Sequence, residues 1–60
     1  MATAMQVQDL EIIYDELAQH IDRAGDKSEL FLAKLSFLLA NTIGDREQVL
    51  RLIESAAQDL

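Results

Sequence analysis

Apolar residues surround nearly the whole circumference of the helix predicted over residues 30–43, LFLAKLSFLLANTI. Ten of these fourteen residues are apolar, and Lys34 is the one charged residue among them. On a wheel of 3.6 residues per turn, Lys34 and Asn41 share the clearest polar strip. A helix that is apolar in almost every direction is stable only when other surfaces cover it on almost every side. The pattern therefore predicts a central helix that needs several neighbours.

The segments on either side show the one-sided pattern of surface helices. Before the central segment, apolar residues recur at three- and four-residue intervals opposite an acidic side. This first stripe contains Val7, Leu10, Tyr14, Leu17, Ile21 and Ala24. The main stripe after the central segment contains Val49, Leu52, Ile53, Ala56 and Leu60. Both patterns are typical of amphipathic helices that bury one side.

Two glycines divide the chain into these three segments. Gly25 and Gly44 lie where helices are expected to end, and each is followed by an aspartate that favours a new helix start. Asp26 and Asp45 are thus the predicted N-caps of the second and third helices. We expect an all-α fold with helices over about residues 7–23, 27–43 and 46–59. Residues 1–60 should form a single three-helix domain whose first few residues are disordered.

Three short helices leave the central one incompletely covered. The first and third helices each cover one side of it, and the third helix has apolar surface of its own to bury. Two chains packed together would supply the missing cover, so the sequence predicts a helical-bundle homodimer formed through the second and third helices. The predicted interface residues are large and apolar. They are Leu32, Leu35, Phe37, Leu39, Leu50 and Leu52.

Composition excludes several classes of function. The 60 residues include no cysteine and a single histidine, so disulfides, thiolate chemistry and a dedicated metal site are not expected. Eleven acids against five bases give a net charge of −6, which argues against nucleic acid and anionic membranes as partners. The first residues lack the pattern of a secretory signal, and no apolar run is long enough to span a bilayer. We expect a cytoplasmic protein without a cofactor.

Three polar residues are the weak candidates for a binding site. His20 lies at the border of the first apolar stripe, and Asn41 and Asp45 flank the second glycine. Each has an ordinary local role, as a surface histidine, a solvent-facing amide or a helix cap. No nucleophile with a neighbouring base is visible, so we predict a non-enzymatic interaction module or small accessory subunit. The alternative is a small-ligand-binding or catalytic site between protomers, formed if these residues and Tyr14 converge.

The segment LLANTIGD, residues 38–45, resembles a small bacterial family of unknown function with an LLAN-x-IGD motif. The likeness extends from about Asp9 onward. This chain departs from the pattern at Thr42, where members of the family have histidine, so any role of that histidine is absent here. The resemblance implies a bacterial cytoplasmic protein, and it implies a flavin-dependent oxidoreductase as a protein that an accessory subunit would serve. It implies no activity.

Overall fold

The chain is helical almost throughout. A computed structural model describes residues 4–58 and 60. They form α1 (Val7–Ala24), one turn of 3-10 helix (Gly25–Lys27), α2 (Ser28–Ile43) and α3 (Arg46–Ala57). The predicted all-α fold of three helices is therefore confirmed, with boundaries shifted by one or two residues. Disorder is also expected for the first few residues of the chain. Of these, residues 1–3 lie outside the described residues.

The connection between α1 and α2 differs from the predicted one. Gly25 has φ 59°, which side chains disfavour, and its N–H donates to the Ile21 and Asp22 carbonyls, so α1 ends there. Asp26, however, is not the N-cap of α2. That position is taken by Lys27 without a side-chain hydrogen bond, because a 3-10 turn leads directly into α2. The Ser28 N–H donates to the Gly25 carbonyl, so the backbone itself satisfies this donor.

The connection between α2 and α3 follows the sequence prediction. Gly44 adopts the left-handed conformation (φ 70°, ψ 17°), and its N–H donates to the Ala40 carbonyl at 2.9 Å. Asp45 is extended and is the N-cap of α3. Its Oδ1 accepts hydrogen bonds from the backbone N–H groups of Glu47 at 3.0 Å and Gln48 at 3.3 Å. This two-residue link fixes where α3 starts, close to the end of α2.

Glu47, at the start of α3, pairs with a basic residue other than the one its helical spacing favours. The spacing of Glu47 and Arg51 favours an ion pair one turn apart. The Glu47 carboxylate instead lies 3.3 Å from Nη2 of Arg46, its neighbour in the chain. Both side chains of this pair are well exposed, so it contributes little to stability.

The three helices contact one another only near their connections. Among the described residues, no two Cα atoms at least 12 positions apart lie within 8 Å of each other, and no residue is fully buried. The half-buried residues are Leu17, His20, Ile21, Ala24, Ser28, Phe31, Leu35, Ala40 and Val49. The radius of gyration is 12.9 Å, whereas a compact domain of this length has about 10 Å. The described residues thus form an open arrangement of helices without a buried core.

We predict that Asp45→Ala destabilises the helical structure by about 1 kcal/mol, because α3 loses the acceptor for two backbone N–H groups. Thermal and urea unfolding followed by far-ultraviolet circular dichroism measure the change. Asp26→Ala is the matched control, since it also removes an acid after a glycine but caps no helix. Equal destabilisation by the two variants would contradict the assigned cap.

Candidate functional site

Large apolar side chains cover much of the surface of this chain. Phe37 and Leu38 on α2 have exposed fractions of 77% and 68%, and Tyr14 on α1 has 73%. Single exposed apolar residues are common on proteins, but contiguous apolar surface marks a site of interaction. Here the apolar surface occurs on all three helices, so the candidate functional site is an interaction surface.

The total exposed area shows how much cover is missing. The accessible surface is 5786 Å² for a chain of 6.7 kDa. A folded monomer of that mass exposes about 3,900 Å², and the unfolded chain exposes about 9,700 Å². The chain therefore leaves about 1,900 Å² uncovered that a compact fold of the same mass would bury. Permanent interfaces bury roughly 1,000–2,500 Å² on each partner, so the excess has the size of an interface.

The predicted interface residues are exposed with one exception. Leu32, Phe37, Leu39, Leu50 and Leu52 are all exposed apolar residues on α2 and α3. Leu35 is half-buried within the chain itself. The structure thus leaves five of the six exposed on the surface of one copy.

An open groove of about 320 Å³ runs between α2 and α3. Its lining is apolar except for one serine, and it contains two of the predicted interface leucines. The lining residues are Ser36, Leu39, Ala40, Ile43, Val49, Leu52, Ile53 and Ala56. Ser36 Oγ donates to the Leu32 carbonyl at 2.8 Å, so its hydroxyl proton is already used inside α2. The groove suits apolar side chains and offers no charged group to a polar ligand.

His20 is held in place by residues on two helices. Glu16 Oε2 accepts a hydrogen bond from His20 Nε2 at 3.0 Å, one turn earlier on α1. The imidazole ring also stacks on Phe31 of α2, with ring centres 5.9 Å apart and planes inclined by 24°. The sequence indicates the first contact by its spacing but not the second, which depends on the connection between the helices. His20 therefore links α1 to α2 where the chain turns.

Asn41 and Asp45 have no such connection with His20. Asp45 is committed to capping α3, and Asn41 lies exposed on α2. Residues so far apart in sequence do not approach in this chain, so His20, Asn41 and Asp45 do not converge within one copy. Thr42, at the position where the resemblance implies histidine, donates its hydroxyl to the Leu38 carbonyl at 3.0 Å. A site built on His20, Asn41 and Asp45 together would need groups from another molecule.

A basic corner, which the sequence reasoning missed, lies where α1 meets α2. A hollow of about 340 Å³ is lined by Arg23, Ala24, Lys27, Leu30, Phe31 and Lys34. In the described part of the chain, no carboxylate lies within 4 Å of any of these three cations. The sequence does indicate this corner, because three of the five Lys and Arg residues of the chain fall within residues 23–34.

The described residues contain neither a cluster of metal-ligating side chains nor a membrane-spanning helix. Across residues 4–58 and 60, no three histidine, aspartate or glutamate side chains come together as a metal-binding group. None of the described helices combines the length and the apolar character needed to cross a bilayer.

The chain belongs to a family of unknown function. A family model described as Protein of unknown function (DUF2783) matches residues 1–59. No match was found among curated proteins or among solved structures. Membership of an uncharacterised family is thus confirmed, whereas the motif at residues 38–45 stays a prediction. Nothing in these comparisons indicates an enzymatic activity.

We predict that His20 and Phe31 are energetically coupled. His20→Ala and Phe31→Ala should each destabilise the chain, and together they should cost less than the sum of the single effects by about 0.5–1.5 kcal/mol, because each single change already removes the ring contact. Urea unfolding of the two single variants and the double variant gives the coupling free energy. Gln19→Ala, on the exposed side of the same helix, replaces His20→Ala in a control cycle. Strict additivity in the His20 cycle would contradict the contact.

Proposed function

We propose that the chain is a non-enzymatic interaction module, a small accessory subunit that self-associates through the apolar faces of α2 and α3. The observation that carries this proposal is the absence of any fully buried residue in the described part of the chain, although half the sequence is apolar. Burial of apolar surface is the main force that stabilises folded proteins. Surface that the chain does not bury internally is available for burial against a partner.

The exposed area favours association as a condition of stable folding. One isolated copy removes only about 40% of its unfolded surface from water, whereas a domain of this size buries roughly 60%. Chains this short, when they lack disulfides and metals, commonly bury the remaining surface by oligomerisation. A second copy is always present and has the same excess of apolar surface. Two copies would bury a total within the range of permanent homodimers.

The distribution of polar groups favours an interaction module over a catalytic site. The groove between α2 and α3 lacks charged groups. The single histidine, His20, contacts Glu16 and Phe31 of its own chain. General acid–base catalysis requires a titratable group that reaches a substrate proton, usually in a concave pocket. The charged residues that the structure describes are all exposed instead.

We predict that the purified protein has a molar mass at least twice the 6.7 kDa of one chain. Light scattering coupled to size-exclusion chromatography, over a tenfold range of concentration, measures the mass. Circular dichroism on the same samples reports the helical content. A protein of 6.7 kDa with full helical content at every concentration would overturn self-association.

We further predict that Phe37→Asp lowers the association constant by at least about a hundredfold, because a carboxylate buried without a partner costs roughly 3–5 kcal/mol. With 77% of its surface exposed, Phe37 has few contacts inside the chain, so a loss of mass or of helix reports lost association. Leu35→Asp is less informative, since Leu35 is half-buried within the chain. Gln19→Asp adds the same charge on the exposed side of α1, away from the faces of α2 and α3, and should change little. An unchanged mass for Phe37→Asp would remove Phe37 from the interface.

A further inference from the structure

Two open hollows of the chain carry opposite charges. The larger one, of about 670 Å³, runs along the first half of α1, and we call it the acidic hollow. Its lining includes Val7, Leu10, Glu11, Tyr14 and Asp15. The second is the hollow at the basic corner, whose lining contains three cations and no carboxylate. The other lining residues of both hollows are aliphatic or aromatic, so each combines an apolar floor with charge of one sign.

The charges of the acidic hollow are not offset by bases of α1. The first 22 residues contain five acids and no base. Glu11 and Asp15 are one turn apart, and Glu11 lies about 60° around the helix from Tyr14. Val7 and Tyr14 have exposed fractions of 69% and 73%. Among the described residues, no lysine or arginine lies within 4 Å of either carboxylate. A partner that covers this apolar stretch therefore meets negative charge along its border.

The basic corner presents its lysines on one side of α2. Lys34 lies about 40° around the helix from Leu30 and about 60° from Phe31. Lys27 comes two turns before Lys34 and lines the same hollow. Glu29, the acid of this segment, lies about 140° around the helix from Lys34. Leu30 has an exposed fraction of 58%. This side of α2 is thus positively charged, and part of its apolar floor is open.

Charge complementarity identifies a second copy as the occupant of both hollows. The two hollows do not meet within one copy, because no described residues as far apart in sequence as Glu11 and Lys27 have Cα atoms within 8 Å of each other. Every other copy carries the complementary surface. Each copy has a net charge of −6, so copies repel one another except where bases of one meet acids of the other. The basic corner contains three of the five bases and is suited to accept an acidic helix.

We propose that the acidic hollow on α1 of one copy docks onto the basic corner of a second copy. In this contact the carboxylates of Glu11 and Asp15 lie beside the ammonium groups of Lys27 and Lys34, and the two apolar floors cover each other. The inference rests on the proposed self-association and adds to it a contact between opposite charges that involves α1. Each copy carries both surfaces, so each copy can give and accept this contact.

Reversal of each set of charges tests the contact. The variant Glu11→Lys/Asp15→Lys makes the acidic hollow basic, and Lys27→Glu/Lys34→Glu makes the basic corner acidic. Each variant alone then brings like charges together between copies. We expect each to raise the dissociation constant of self-association by about tenfold, since exposed pairs of charges contribute modestly. Light scattering over a range of concentrations measures this constant.

An equimolar mixture of the two variants provides the decisive readout. The lysines introduced at positions 11 and 15 of one variant then face the glutamates introduced at positions 27 and 34 of the other. The two remaining surfaces keep their original, opposite charges. We expect the mixture to recover the average mass and the helical content of the unchanged chain at a concentration where each variant alone does not. A loss caused by misfolding of one variant would not be recovered by mixing.

The variant Asp9→Lys/Glu54→Lys is the matched control for net charge. It changes the charge by the same amount as Glu11→Lys/Asp15→Lys, but at exposed positions that line neither hollow. Because it lowers the net negative charge of each copy, it should not weaken association. Weakening equal to that of Glu11→Lys/Asp15→Lys would overturn the proposed contact.

The outcomes separate this inference from the self-association on which it rests. If the unchanged chain is a monomer at every concentration, both proposals are overturned. If it associates but neither charge reversal changes the dissociation constant, the docking of α1 is overturned alone. The same conclusion follows if both reversals weaken association and the mixture does not recover it. Recovery in the mixture, without weakening in the control, supports the contact between the acidic hollow and the basic corner.

Discussion

The apolar circumference of α2 is the constraint on which the rest of this structure depends. Such a helix requires cover in almost every direction, and a chain of 60 residues provides only two other helices. The short connections at Gly25 and Gly44 bring α1 and α3 close to the ends of α2. Phe37 and Leu38, in the second half of α2, consequently stay exposed. No other part of the described chain covers them.

Local interactions explain which parts of the fold the sequence predicts. Helix periodicity, the left-handed glycine at Gly44 and the cap at Asp45 each depend on residues within one turn of one another. Asp26 shows where such reasoning is insufficient. It follows a glycine as Asp45 does, but a 3-10 turn runs on into α2 and leaves no place for a cap. Two similar sequences thus end helices in two different ways because their backbones continue differently.

The candidate surface is predictable in composition but not in arrangement. Helix α2 has more large apolar residues than two neighbouring helices can cover. The sequence therefore identifies exposed apolar residues correctly, and most of the predicted interface residues are exposed. Whether a particular residue also contacts its own chain depends on the angle between helices, and the half-buried Leu35 shows the difference. The stacking of His20 on Phe31 and the basic corner depend on the same angle. Three short helices allow several such angles, so spacing alone does not determine them.

Folding and association are expected to be coupled in this chain. Helices of about 12–15 residues are marginal in water without tertiary contacts, and α3 has 12 residues. Here most tertiary contacts that α2 and α3 would need are missing from the single copy, since residues distant in sequence do not meet. When the partner is another copy, stability depends on protein concentration, and the unfolded fraction rises on dilution. Under the proposed self-association, the contacts between copies would therefore supply the tertiary stabilisation that the three helices lack within one copy.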